Sequence, residues 1–177
     1  LTPLGITLDK QDDLQLLLLQ LETSLIGSSC IYQGEELGLS DVTNIQFDKM
    51  KDPWGLNFYP EFLGRDTCRT PMVWEKNKPM GGFTSANESW LPISELHMEK
   101  AGLDMAKSEG SIYKKFSSFL KWRRKQPAMI SSNKMSELSG GPSEIIFDRE
   151  SETQILRCKF DFELVEATFE EVTYGTS

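Results

Sequence analysis

Two guanidinium groups and an acid share one short stretch of this chain: Arg65, Asp66 and Arg69 lie within Gly64-Arg65-Asp66-Thr67-Cys68-Arg69-Thr70-Pro71-Met72-Val73-Trp74. A segment so rich in Gly, Pro and Asp reads as a loop, not as the interior of a helix or strand. Aromatic residues crowd both sides: Trp54, Phe58, Tyr59 and Phe62 before it, Phe83 and Trp90 after it. A guanidinium offers planar, fixed donors, and a rigid ring offers an apolar face. Together they suit a hydroxyl-rich, partly apolar ligand such as a sugar. A second reading stands beside this one. The loop folds over itself, the rings form a satellite core, and the arginines pair with Asp66 or Glu61.

A second group of polar residues follows the run Ser28-Ser29-Cys30-Ile31-Tyr32, which reads as a short buried strand closed by Gln33-Gly34. In parallel α/β folds, polar residues just beyond the C-terminal end of a strand face the ligand. Gln33, Glu35 and Glu36 occupy that place, although Glu35 reads equally well as an acid that pins the next loop. The single histidine, His97, lies in a polar stretch without a histidine partner. It reads as a solvated loop residue, and no metal site or other cofactor is expected.

The elements that would carry these loops follow from periodicity. Asp9 to Ile26 reads as a helix, capped by Asp9, with Asp12 and Asp13 near the positive end of its dipole and Gly27 as the stop. Its leucines at 14, 16, 17, 18, 19 and 21 make it apolar on most faces, as suits a helix lying between layers. Helix, short apolar strand and functional loop in succession is an α/β order. Residues 37 to about 107 read as one long irregular region, a length that is uncommon without a function. Ser111 to Lys125 reads as the second helix, with Ser111 as cap, Ile112, Phe116, Phe119 and Leu120 as its apolar face, and Pro127 beyond its end. The basic cluster Lys121-Trp122-Arg123-Arg124-Lys125 then complements the negative end of that helix. Beyond Met129, runs around 144–149, 154–160 and 167–169 alternate like short strands, predicting a small antiparallel sheet over 131–177.

Composition removes several function classes. The 177 residues carry 27 acidic and 19 basic side chains, a formal charge of −8, so no broad basic field exists for nucleic acid or an anionic membrane. The three cysteines, Cys30, Cys68 and Cys158, are far apart, which predicts no disulfide framework and a cytoplasmic setting. The apolar run from Leu14 to Leu21 is too short for a membrane span and lacks the flanks of a signal peptide. The chain opens at Leu1 in what reads as the middle of a loop, the expectation being a piece of a longer polypeptide.

Two blocks carry a family resemblance. Ile31-Tyr32-Gln33-Gly34-Glu35-Glu36-Leu37-Gly38-Leu39 resembles the segment at the eighth barrel strand of α-glucosidases and oligo-1,6-glucosidases in the α-amylase superfamily of glycoside hydrolases. Arg65-Asp66 through Arg69-Thr70-Pro71-Met72-Val73-Trp74, with Gly81-Gly82-Phe83-Thr84 and Trp90-Leu91-Pro92-Ile93, is similar to the next blocks of that branch, and Phe119-Leu120-Lys121-Trp122-Arg123-Arg124 to its last barrel helix. The resemblance implies the C-terminal part of a (β/α)₈ barrel over 1–130 and a small antiparallel β domain over 131–177. It implies retaining cleavage of α-linked glucose from the non-reducing end of an oligosaccharide, with one carboxylate as nucleophile and another as acid and base.

In that family, those two acids and a third, which follows a histidine, all precede the Tyr-Gln-Gly-Glu-Glu block. This chain has no His-Asp pair, and a full barrel takes about 250 residues. The expectation is therefore a segment without catalytic residues, inactive alone. Arg69 matches the arginine that holds a hydroxyl of the non-reducing glucose. Tyr32, Gln33 and Glu35, with Glu36, would shape the pocket wall; Arg65 and Asp66 would brace the loop. Trp54 and Phe58 read either as a leaving-group subsite or as core. Val73 stands where relatives often carry a polar residue, so no substrate role is assigned to it. The alternative from another class is a free-standing carbohydrate-binding or interaction module. Leucines 14, 17, 18 and 21 would lack barrel neighbours, which predicts self-association.

Overall fold

The computed structural model describes Thr7 and residues 10–173. In chain order the elements are α1 (Gln11–Ser24), α2 (Pro53–Phe58), α3 (Glu95–Glu99), α4 (Gly102–Lys107), α5 (Ile112–Arg123), α6 (Pro127–Ile130), β1 (Lys134–Met135), β2 (Glu144–Glu150), β3 (Ile155–Asp161) and β4 (Glu166–Glu171), with 3₁₀ turns between them. Two compact units result. Residues through Glu36 and from Ile112 onward form one, and Leu37–Ser111 the other.

The first unit is an antiparallel four-stranded meander, β1-β2-β3-β4, packed against helices. Strand periodicity explains which side is covered. Phe147 and Arg149 of β2, and Leu156, Cys158 and Phe160 of β3, point to one face and are buried, with the residues between them less so. The register sets Phe147 opposite Cys158 and Phe160 opposite Ala167. Leu14 and Leu17 of α1 and Met129 of α6 close over this face. The expected exposure of the leucines is thereby corrected: Leu14 and Leu17 belong to the core, and Leu18 remains 39% exposed. Phe169 joins Phe119, Trp122 and Phe160 at centroid distances of 5.2, 4.9 and 5.8 Å, which ties α5 to the sheet.

The end of α1 is held by two arginines, beside the Thr23 and Ser24 hydroxyls that donate to the Leu19 and Gln20 carbonyls. Arg149, 2% exposed, donates from Nη1 to the carbonyls of Ser24 and Leu25 (2.7 and 3.0 Å) and from Nη2 to that of Ser132 (2.9 Å). Arg123 Nε donates to Thr23 O at 2.6 Å. These cations satisfy carbonyls that a helix end leaves without partners and complement its negative pole. The basic cluster thus serves α1 as well as its own helix. Asp9, read as the cap of α1, lies outside the described residues.

The run 28–32 forms no strand: it is irregular, largely exposed chain. A strand exists only where a neighbour completes its ladder of hydrogen bonds, and the four described strands pair among themselves. Apolar composition identified a segment able to be a strand but carries no information about its partner.

In the second unit, aliphatic residues supply the core: Val42, Ile45 and Met50 with Leu63 against them, and buried Leu37, Val73 and Leu91. The rings stay outside. Trp54 is 60% exposed and Phe58 52%. Their rings stack on each other with centroids 5.7 Å apart, outside the aliphatic core of this unit.

Candidate substrate-binding site

The 64–74 loop is fixed from within by two buried carboxylates. Asp66, 1% exposed, accepts the Lys51 and Asp52 amides at Oδ2 (2.5 and 2.8 Å). Asp52 caps α2 by accepting the Trp54 amide at 3.3 Å, and accepts the Arg65 amide (2.6 Å) and Nε (3.2 Å). Arg65 is therefore paired with Asp52, not with Asp66 or Glu61. The Arg65 guanidinium, with the Arg65 and Trp54 amides, holds the Asp52 carboxyl down at about 2. Two glycines allow this closeness. A Cβ on Gly64, whose φ is +69°, would lie 2.7 Å from Gly55 N and 2.8 Å from Asp52 Oδ2.

The far end of the loop is fixed by His97. This residue is 5% exposed, with Nε2 2.8 Å from the Ser40 carbonyl and Nδ1 3.5 Å from the Thr70 hydroxyl. A carbonyl only accepts, so Nε2 donates to it, leaving Nδ1 to accept from Thr70 in the neutral ring. The solvated-loop reading of His97 is thus corrected. Polar neighbours in sequence do not reveal that a loop buries its own polar atoms when it supplies their partners. No signal in the sequence marked this role, or that of Arg149.

Arg69 lies between these two anchors. Its amide bonds to Asp66 O at 3.1 Å, while its half-buried guanidinium makes no hydrogen bond or ion pair among the described residues. The backbone is set and the fork is uncommitted, an arrangement able to receive an acceptor such as a hydroxyl. Beyond it, Val73 is 1% exposed, and its carbonyl accepts the Gly102 amide at 2.9 Å. That makes it a core residue.

The other expected contacts belong to the first unit. Tyr32, Gln33 and Glu36 border a cavity of about 550 Å3 walled by Tyr113, Phe116 and Leu120 of α5. Glu35 turns its carboxylate inward along the chain, accepting the Tyr32 amide at 3.0 Å, and Glu36 accepts the Gly34 amide at 2.8 Å. These acids therefore shape the Gln33-Gly34 turn. Arg69 belongs to the other unit. Among the described residues there is no group of three or more His, Cys, Asp or Glu able to hold a metal ion, and no helix long and apolar enough to cross a membrane.

Known proteins share both the sequence and the fold. The chain is 45% identical over 113 residues to a probable α-glucosidase of Rhizobium meliloti, covering 64% of this chain and 20% of that protein. It is 26% identical over 161 residues to an oligo-1,6-glucosidase of Bacillus cereus, covering 81% and 28%. Among solved structures, the α-glucosyl transfer enzyme XgtA superposes with a TM-score of 0.79 at 35% identity, over 85% of this chain and 28% of that one. The trehalose-6-phosphate hydrolase of Bacillus licheniformis (TM-score 0.76, 20% identity, 89% and 31% covered) shares the fold. The chain thus spans between a fifth and a third of the length of these relatives. Its architecture is part of a (β/α)₈ barrel followed by a small antiparallel β domain. The model of the α-amylase catalytic domain matches residues 4–132, and with the loop chemistry above this makes the chain a member of the α-amylase family of glycoside hydrolases, on its α-glucosidase side.

Proposed function

We propose that this chain supplies the rim and tail of a retaining α-glucosidase whose reactive carboxylates come from polypeptide outside it, with residues 1–130 belonging to the barrel and 131–177 to the β domain. The observation that carries this reading is the state of the chain's buried acids. Retaining hydrolysis needs a carboxylate free to attack and another able to give up a proton near neutral pH. Asp52 and Asp66 both accept backbone amides, and Asp52 is held ionised down to about pH 2. Asp52 therefore cannot act as a general acid at pH 7, and Asp66 is engaged by two backbone donors. The uncommitted Arg69 is the residue suited to hold a glucose hydroxyl, and Tyr32, Gln33 and Glu35 are read as residues that shape a pocket wall in the complete enzyme.

The substrate in this reading is an α-linked oligosaccharide. The R. meliloti relative is named a probable α-glucosidase and the B. cereus one an oligo-1,6-glucosidase. Cysteines 30, 68 and 158 are free, the first two exposed, which fits a reducing cytoplasm. Exposed Leu18, Ile26 and Ile130 support self-association of the isolated chain, which sedimentation would show as a concentration-dependent mass.

The test is to read the coding sequence immediately upstream of Leu1 and express the extended polypeptide. The expected result is glucose release from maltose or isomaltose with retained anomeric configuration. Arg69→Ala should lower kcat/KM by about a hundredfold, the loss of a charge-assisted hydrogen bond or two. An inverting product, or an Arg69→Ala enzyme as efficient as the parent, would refute the reading.

A further inference from the structure

A cavity of about 420 Å3 opens in the 37–111 unit between residues 49–51 and 87–98, and Arg69 is not among its lining. Its wall carries the indole of Trp90, 49% exposed, and its floor the buried Leu91. Around the indole stand Lys49, Lys51, Glu88 and Glu95, and none of the four side chains makes a hydrogen bond or ion pair among the described residues. Lysines only donate and carboxylates only accept, so a ligand that serves both must carry groups that do both, as hydroxyls do. Two cations and two anions also leave the cavity without a preferred sign, which disfavours an ionic ligand. The indole face adds a demand for a flat, CH-rich surface. Volume falls within the range of about 300–1,000 Å3 usual for small-molecule sites, enough for a short saccharide.

The lining is also fixed in place. Asp66 holds the Lys51 amide at 2.5 Å. Met80, another lining residue, is kept in the left-handed region (φ 51°) by a turn in which the Phe83 amide bonds its carbonyl at 2.9 Å and the Gly81 amide bonds Lys78 O at 3.0 Å. A non-glycine residue stays there only where its surroundings over-determine it, and such strain gathers at ligand sites.

We propose that this cavity is a saccharide site in its own right, with Trp90 as the platform and Lys51 and Glu88 as polar contacts. The neutral, hydroxylated class follows from the cavity alone; the choice of α-linked glucose as probe rests on the α-glucosidase reading. The experiment is calorimetric titration of the 177-residue chain with maltose, using Trp90→Ala, Glu88→Gln and Arg69→Ala variants whose folding is checked by circular dichroism. The expected result is saturable binding that weakens about tenfold in Trp90→Ala. It should weaken about threefold in Glu88→Gln, an exposed change that keeps the test usable if the tryptophan variant misfolds. Absence of binding, or binding that depends on Arg69 and not on Trp90 or Glu88, overturns the proposal. The latter outcome leaves the Arg69 reading standing, so the two failures are told apart.

Discussion

Replacing Asp66 by alanine tests how the loop that carries Arg69 is held. The side chain is 1% exposed and serves two backbone donors, the amides of Lys51 and Asp52. Removing it leaves both without an acceptor, and an unsatisfied buried donor costs about 1–3 kcal/mol. The Asp52 amide is buried and bears that cost in full, whereas the Lys51 bond is partly exposed and water can replace it in part. The expected loss is therefore about 2–4 kcal/mol, a large share of the 5–15 kcal/mol typical of a domain. Three tryptophans, Trp54, Trp74 and Trp90, belong to the 37–111 unit, so urea unfolding followed by tryptophan fluorescence reports on it. With a slope of about 2 kcal/mol/M, the midpoint should fall by about 1–2 M. Asp66→Asn keeps an accepting oxygen without the charge and should fall between the two. Hydrogen exchange should speed up at the Lys51 and Asp52 amides in particular. A midpoint within about 0.3 M of the parent, with both amides still protected, would refute this reasoning.

Other perturbations reach other parts of the structure. Phe147 and Phe160 are both fully buried with ring centroids 5.8 Å apart, so Phe160→Ala should cost the sheet unit about 3–5 kcal/mol in thermal or denaturant unfolding. Asp52 has a folded pKa near 2 against 3.8 for an ordinary aspartate, so its stabilisation is complete above about pH 4 and fades as pH falls toward 2. Fluorescence-detected stability should decline over that window and decline less in Asp52→Asn. Gly64→Ala meets both a positive φ and a 2.7 Å contact with Gly55 N, and should lower unfolding stability by more than about 1 kcal/mol, whereas the same change at a compatible site would raise it by about 0.4–1 kcal/mol. Burial pushes the Cys158 thiol up to about 12, whereas Cys30 and Cys68 are exposed. A thiol reagent should therefore label two cysteines in the native chain and the third only after denaturation; rapid native labelling of Cys158 would contradict its placement.

The elements whose periodicity is local were legible before any coordinates. The leucines of α1, the Ile112-Phe116-Phe119 face of α5 and the alternation in β2 and β3 each report their own buried side. Features that depend on a partner were not. Residues 28–32 have the composition of a strand but no ladder beside them, β1 is two residues long, and nothing in the run 144–149 marked Arg149 as the partner of α1's carbonyls. His97 and Asp66 show the same limit within a loop, where burial of a polar side chain depends on backbone atoms tens of positions away in one case and 14 or 15 in the other. The candidate site was proposed from chemistry, through the Arg-Asp-x-x-Arg block. What fixes it was not, because Asp52 carries no motif that announces its role.

The central claim is that the carboxylates able to cleave a glucoside are not on this chain. Incubating the folded 177 residues with a chromogenic α-glucoside tests it most directly, with tryptophan fluorescence recorded on the same sample to show that the 37–111 unit is intact. The account predicts release at the rate of the buffer alone. Turnover that copurifies with the chain and disappears when one of its own aspartates or glutamates is replaced by its amide would contradict it.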